Sequence, residues 1–68
     1  MKATRHAKIL ELIQSHTVTT QEELQSLLES SGFFTTQATI SRDIRELRLV
    51  KVLSPSGIYY YTQNSAAP

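Results

Sequence analysis

The hydrophobic pattern of this chain changes period once, at Arg48, and that switch limits the folds open to it. Upstream of it, apolar residues recur at helical spacing. Downstream, Leu49-Val50-Lys51-Val52-Leu53 and Ile58-Tyr59-Tyr60-Tyr61-Thr62 are β-branched and aromatic runs of strand length. Between the two runs lies Pro55-Ser56-Gly57. Pro sets φ at the first corner of a turn, and Gly57 is free to take positive φ. The pair therefore reads as a β-hairpin. An isolated hairpin is marginal in water and must pack on the helices. Val50 and Val52, with some of Leu53, Ile58 and Tyr60, are expected to make that contact.

Three helices are expected upstream. Ile9, Leu10, Leu12 and Ile13 give residues 5–15 a helical stripe, with Thr4 placed to cap it. Thr20-Gln21-Glu22-Glu23 is a capping-box pattern: Thr20 is the N-cap, and Glu23 reaches back to the free backbone N–H at the cap. Leu24, Leu27 and Leu28 form the apolar stripe of this second helix, and Gly32 supplies a left-handed stop, which bounds it at about 21–30. Phe33 and Phe34 are expected to plug the core between helices two and three. Thr36 caps the third helix, about 37–47. Three helices followed by a two-stranded hairpin is the order of an α+β winged helix-turn-helix, with helices two and three as the helix-turn-helix and 49–62 as the wing. The domain is expected to span 1–63, with Asn64-Ser65-Ala66-Ala67-Pro68 beginning a linker or tail.

The chain has 68 residues and no cysteine, so it is one small domain without disulfides or thiolate metal ligands. No apolar run reaches the roughly 18 residues of a membrane span, and Met1-Lys2-Ala3-Thr4-Arg5-His6 lacks the apolar core of a secretory signal. A cytoplasmic protein is expected. Net charge is only +1, but the charges are segregated. Lys2, Arg5 and Lys8 cluster at the N-terminus, and Arg42, Arg45, Arg48 and Lys51 in the second half. Glu22, Glu23 and Glu29 stand between them without basic neighbours. Such a distribution fits one face for a polyanion and one turned away from it; an ordinary solvated surface is the alternative.

On a helical wheel, Ile40, Ile44 and Leu47 fall within about 60° and form the buried stripe of helix three. Ala38, Ser41, Arg42 and Arg45 share the opposite side, Gln37 lies at its flank in the first turn, and Thr39, Asp43 and Glu46 line the other flank. The outward residues are those that read base edges. Arg42 suits a bidentate fork to guanine, Gln37 a pair of bonds to adenine, Ala38 a thymine methyl, and Ser41 a base or a phosphate. Each has a plainer alternative. Arg42 has an ion pair with Glu46 one turn on, Gln37 support of its own helix end, Ala38 helix propensity, and Ser41 simple exposure. Thr39, Arg45 and Lys51 are phosphate candidates, with Thr36 acting through the helix N-terminus and with Arg5, Ser56 and Gly57 at the periphery. Tyr59, Tyr60 and Tyr61 alternate faces along a strand, which suits cross-strand packing and not a stacking platform. His6 and His16 lack metal-ligand spacing, and no nucleophile–base–orienter set appears, so neither a metal site nor an enzyme is expected.

The run Thr36-Gln37-Ala38-Thr39-Ile40-Ser41-Arg42-Asp43-Ile44-Arg45-Glu46-Leu47, followed by Leu49-Val50-Lys51-Val52, closely resembles the N-terminal DNA-binding domain of the bacterial arginine repressor family. Arg5-His6, the Thr-Gln-Glu-Glu-Leu start of helix two and the Gly32 stop match it too. The resemblance spans roughly residues 4–62. It implies a winged helix-turn-helix that binds double-stranded operator DNA sequence-specifically, with base contacts at Gln37, Ser41 and Arg42. It further implies repression of arginine biosynthesis, with activation of arginine catabolism as a possible second role. In the family a separate C-terminal domain binds L-arginine as co-effector and assembles homohexamers. No cofactor is therefore expected in this chain, which is expected to be a monomer or weak dimer. The chain departs from the family pattern at two places. Phe34-Thr35 stands where a polar residue followed by an apolar one is expected, and Arg48 stands where many relatives carry glycine or another residue. A winged helix used as a protein–protein module without DNA is the rival reading, because the fold serves both uses.

Overall fold

The computed structural model describes residues 2–63. Three helices, α1 (Lys2–Ser15), α2 (Gln21–Ser30) and α3 (Gln37–Glu46), precede an antiparallel pair, β1 (Leu49–Leu53) and β2 (Tyr59–Gln63). This is the expected winged helix-turn-helix order. Among the described residues no helix is long and apolar enough to cross a membrane. The expected tail, 64–68, lies outside the described residues.

Local chemistry sets the helix ends. Thr20 caps α2 by accepting a bond from the Glu23 N–H at 3.0 Å. The reciprocal arm differs from expectation: the Glu23 carboxylate accepts from the Thr19 N–H and hydroxyl, one residue before the cap. These bonds, the Thr19 N–H first and its hydroxyl second, hold the Glu23 carboxyl below the ordinary carboxylate range. Gly32, at φ +92, ends the helix in a Schellman motif. The Phe33 N–H reaches back to the Leu28 carbonyl at 2.8 Å, and the Gly32 N–H reaches Glu29 at 3.0 Å. Thr36 caps α3 through the Thr39 N–H. α1 begins earlier than expected: Thr4 lies inside it and caps nothing.

Ile9, Leu12, Ile13, Val18, Leu24, Leu28, Ile40, Leu49 and Tyr61 form the core, with Leu10, Leu27, Phe33, Ile44 and Leu47 packed around it. Two expectations fail here. Phe33 enters the core but Phe34 is 80% exposed, because consecutive residues of an extended turn point to opposite sides. The wing also turns its other face inward. Leu49 and Tyr61 are buried, while Val50, Leu53 and Ile58 are exposed and Val52 and Tyr60 half-buried. The strands carry apolar residues on both faces, so alternation alone gave no direction. The contact is set by position: Tyr61 donates its N–H to the Val18 carbonyl at 2.8 Å, which docks β2 against the α1–α2 connection. The wing tip is a three-residue loop with Gly57 at φ +87 and its N–H on the Ser54 carbonyl, as the Pro-Ser-Gly run requires.

The largest departure from the wheel concerns Asp43. Its side is not an exposed flank: the residue is 0% exposed. Its carboxylate takes bonds from the Arg5 Nε, from the Arg5 Nη2 at 2.8 Å and from the His6 Nε2 at 2.8 Å. α1 and α3 are thus tied by a buried ion pair. Burial by itself pushes the Asp43 carboxyl up. The bonds from Arg5 and His6, and their charges, outweigh it and hold the carboxyl below its ordinary value. Reciprocally, the bond to Asp43 raises the Arg5 guanidinium.

Arg48 takes φ +57 just past α3, with its N–H on the Arg45 carbonyl. This is a left-handed helix stop made by a residue with a Cβ, at a strain of about 1 kcal/mol. Arg48→Gly is therefore expected to stabilise the domain by about 0.5–1 kcal/mol and raise Tm by a few degrees in a thermal melt. A fall in Tm would show that the Arg48 side chain stabilises more than its backbone strains.

A lowered carboxyl pKa contributes stability above the unfolded value, near 3.9 for Asp, and that stability is lost as pH falls through the folded value. Urea midpoints of the native chain are expected to stay level from pH 7 to about 5 and to drop steadily below about 4. Asp43→Asn should lower the midpoint at pH 7 and flatten part of the acid drop, with Glu23 contributing the remainder. An equal acid slope in both proteins would contradict this.

Candidate nucleic-acid interface

The side of α3 away from α1 and α2 is polar and open. Gln37, Ala38, Arg42 and Arg45 are all exposed, and Ile40 beneath them is completely buried. The neighbouring acids are turned elsewhere. Asp43 is held by Arg5 and His6, and Glu46 pairs with Lys2 of α1 at 3.2 Å. Glu46 thus serves α1, and the ion pair open to Arg42 within its own helix does not form. Among the described residues Arg42, Arg45, Arg48 and Lys51 make no salt bridge. Three of the four cations of the second half therefore lie on or just beyond one helix with their charges unneutralised by protein.

The remaining expected residues divide. Ser41 is half-buried and donates its hydroxyl proton to the Gln21 Oε1 of α2 at 2.7 Å, which leaves it acceptor capacity only. The Thr36 oxygen accepts the Thr39 N–H, and the two threonine hydroxyls bond at 3.1 Å, so both serve the cap. Lys51 is exposed on β1, its ammonium 5.1 Å from the centre of the Tyr61 ring. Ser56 and Gly57 are exposed at the wing tip, with the Ser56 hydroxyl 2.9 Å from that of Ser54. Arg5, the peripheral phosphate candidate of α1, turns its fork toward Asp43, and its side chain is only 18% exposed. The turn before α3 is fixed by Gln25, whose amide donates to the Thr35 carbonyl at 2.8 Å.

Linear spacing missed one grouping. His6, Asp43 and Glu46 bring ligand atoms within 4.8 Å of one another. Both Asp43 oxygens already face Arg5, and Lys2 stands on Glu46, so the positive charge of the group is supplied by side chains. The arrangement is an ion-pair network between α1 and α3. An open cavity of about 410 Å³ lies beside the wing, lined by Thr17, Ser54, Ser56, Ile58 and Tyr60. None of the expected base readers lines it; Gln37, Ala38 and Arg42 stand exposed on α3. A polar, exposed face on a helix about 10–12 Å across matches a groove about 12 Å wide in B-form DNA.

Comparison with known proteins agrees with this geometry. Residues 1–66 match the family model described as "Arginine repressor, DNA binding domain". The chain is 62% identical over 61 residues to an arginine repressor of Clostridium kluyveri, covering 90% of this chain and 41% of that protein. It is 56% identical over 62 residues to one of Ruminiclostridium cellulolyticum, covering 91% and 41%. An arginine repressor of Clostridium tetani is 59% identical over 61 residues, with 90% and 40% covered. The chain thus spans about two fifths of the length of the curated relatives it matches. With a family model matched along nearly its whole length and relatives well above half identical, the chain belongs to the arginine repressor DNA-binding domain family.

Proposed function

We propose that this chain binds double-stranded operator DNA sequence-specifically, as the reading domain of an arginine-responsive transcriptional repressor. The observation that carries this is the outer face of α3, where Gln37, Ala38, Arg42 and Arg45 stand exposed and the arginines are free of carboxylates among the described residues. α3 enters the major groove by its N-terminal turns. Arg42 forks to guanine, Gln37 bonds adenine, Ala38 meets a thymine methyl, and Ser41 accepts at a base edge with its remaining lone pairs. Arg45 and Lys51 contact phosphates, with the α3 N-terminus at Thr36 and Thr39 and the wing tip at Ser56 and Gly57 on the flanking backbone.

The parent protein acts in the cytoplasm, where its operator DNA lies. It takes L-arginine as co-effector through a domain other than this one and assembles homohexamers, so that avidity over paired half-sites adds to the weak affinity of one small reader. Occupancy of the operator blocks transcription of arginine biosynthesis. The family placement favours this over a protein–protein module without DNA.

The test is a footprint of the chain on duplexes selected by it from a random library, at two salt concentrations. Several phosphate contacts require a steep loss of affinity with salt, about one logarithmic unit of slope per contact. Arg42→Ala is expected to weaken binding to the selected duplex by about 1–3 kcal/mol while relaxing base preference at one position. Arg45→Ala or Lys51→Ala should weaken selected and random duplexes alike and reduce the salt slope by about one each. Salt-independent binding, or equal losses on both duplexes for Arg42→Ala, would contradict these roles.

A further inference from the structure

We infer that Asp43 is a positioning residue for DNA reading: with Arg5 and His6 it pins the rotation of α3, and the selectivity of Arg42 depends on that pin. This rests on the DNA-reading role proposed above and adds a mechanism to it.

Among the apolar residues of α3 only Ile40 is fully buried, while Ile44 and Leu47 are packed at the margin of the core. Apolar contact is non-directional, so such a stripe resists removal of the helix far more than it resists a small rotation. Side chains on a helix lie about 6 Å from its axis, and a rotation of about 20° moves them by about 2 Å. That displacement breaks a bidentate hydrogen bond to a base, whose donor–acceptor distances tolerate only a few tenths of an ångström.

Directional contacts lie on either side of the reading arginine. Asp43 receives three bonds from two consecutive residues of α1, and the Arg5 fork engages both carboxylate oxygens. A planar fork on a planar carboxylate fixes orientation as well as distance. Ser41 is tied to Gln21 of α2 at 2.7 Å. The residues just before and just after Arg42 are thus fastened to two different helices, while Arg42 itself is exposed. Stability alone is a poor reason for this chemistry. Replacing a buried ion pair by apolar residues of similar size is often neutral or stabilising, whereas fixing one arrangement among several is a use to which buried charges are put.

The test compares the native chain with Arg5→Lys and with the double variant Arg5→Met/Asp43→Leu. Lysine keeps the charge on Asp43 but has no fork, so it holds distance without orientation. The double variant replaces the pair by apolar packing. Circular dichroism melts give the folded fraction. Fluorescence anisotropy then gives affinity for the duplex the native chain selects from a random library and for a scrambled duplex of the same composition. The ratio of the two is the readout, because loss of folded protein lowers both affinities together and leaves the ratio unchanged.

The pin predicts that Arg5→Lys lowers the ratio by about tenfold to a hundredfold while affinity for the scrambled duplex stays within about threefold. The double variant should lose the ratio even where its Tm equals or exceeds the native value. A native-like ratio in Arg5→Lys overturns the proposal, whatever the melt shows, as does a native-like ratio in a folded double variant. A native chain that selects no duplex overturns the DNA reading itself, an outcome distinct from selective binding that survives both substitutions.

Discussion

A buried carboxylate ties the first helix to the third. Asp43 is 0% exposed, and its oxygens are occupied by Arg5 and His6. In a chain of 68 residues the apolar core is small, and nine of the described residues form it. α2 is bounded by its own cap and stop, and the wing is docked by Tyr61 and Leu49. α3 needs more, because half of its surface must remain open and polar. The buried pair supplies a contact that is strong, directional and placed on the inner side of the helix. It also takes an acid away from the outer side, where a carboxylate would oppose a polyanion.

The same economy governs the other acids near α3. Glu46 leans on Lys2, and Glu23 closes the cap of α2. With these groups engaged, a net charge of only +1 still yields a cationic ridge of Arg42, Arg45, Arg48 and Lys51. The cationic character of this surface follows from where the negative charges are used, more than from an excess of positive ones. Arg48 shows the strain that accompanies this arrangement, since a left-handed helix stop that suits glycine is occupied by a cation.

Much of this was legible in the residues, and the reasons are local. Thr20 and Gly32 bound α2 at the residues observed, because caps act through bonds within four positions. Thr36 did the same for the start of α3. The change of period at Arg48 and the Pro-Ser-Gly turn marked the hairpin. What failed needed a partner distant along the chain. Asp43 looked like a flank residue because its partners Arg5 and His6 lie 38 and 37 positions away. A wheel gives an angle and not the element that faces it. The wing's inner face failed for a related reason: both its faces are apolar, and the docking bond from Tyr61 to Val18 has no signature in periodicity. The exposure of Phe34 followed from the direction of an extended turn, which hydrophobicity alone misassigns. At the interface, Gln37, Ala38, Arg42 and Arg45 lie on the side the wheel assigned them, whereas Ser41 and Arg5 have protein partners from other helices.

The outer face of α3 is the surface proposed to meet DNA. The most direct measurement is a titration of the isotopically labelled chain with its selected duplex, followed amide by amide in nuclear magnetic resonance spectra. The largest shifts are expected from Thr36 to Arg42 and at Arg45, with smaller ones at Lys51, Ser56 and Gly57 and little change at Glu22 and Glu29 on α2. Shifts centred on α2 or on the outer side of α1, with Gln37 to Arg42 unmoved, would contradict it.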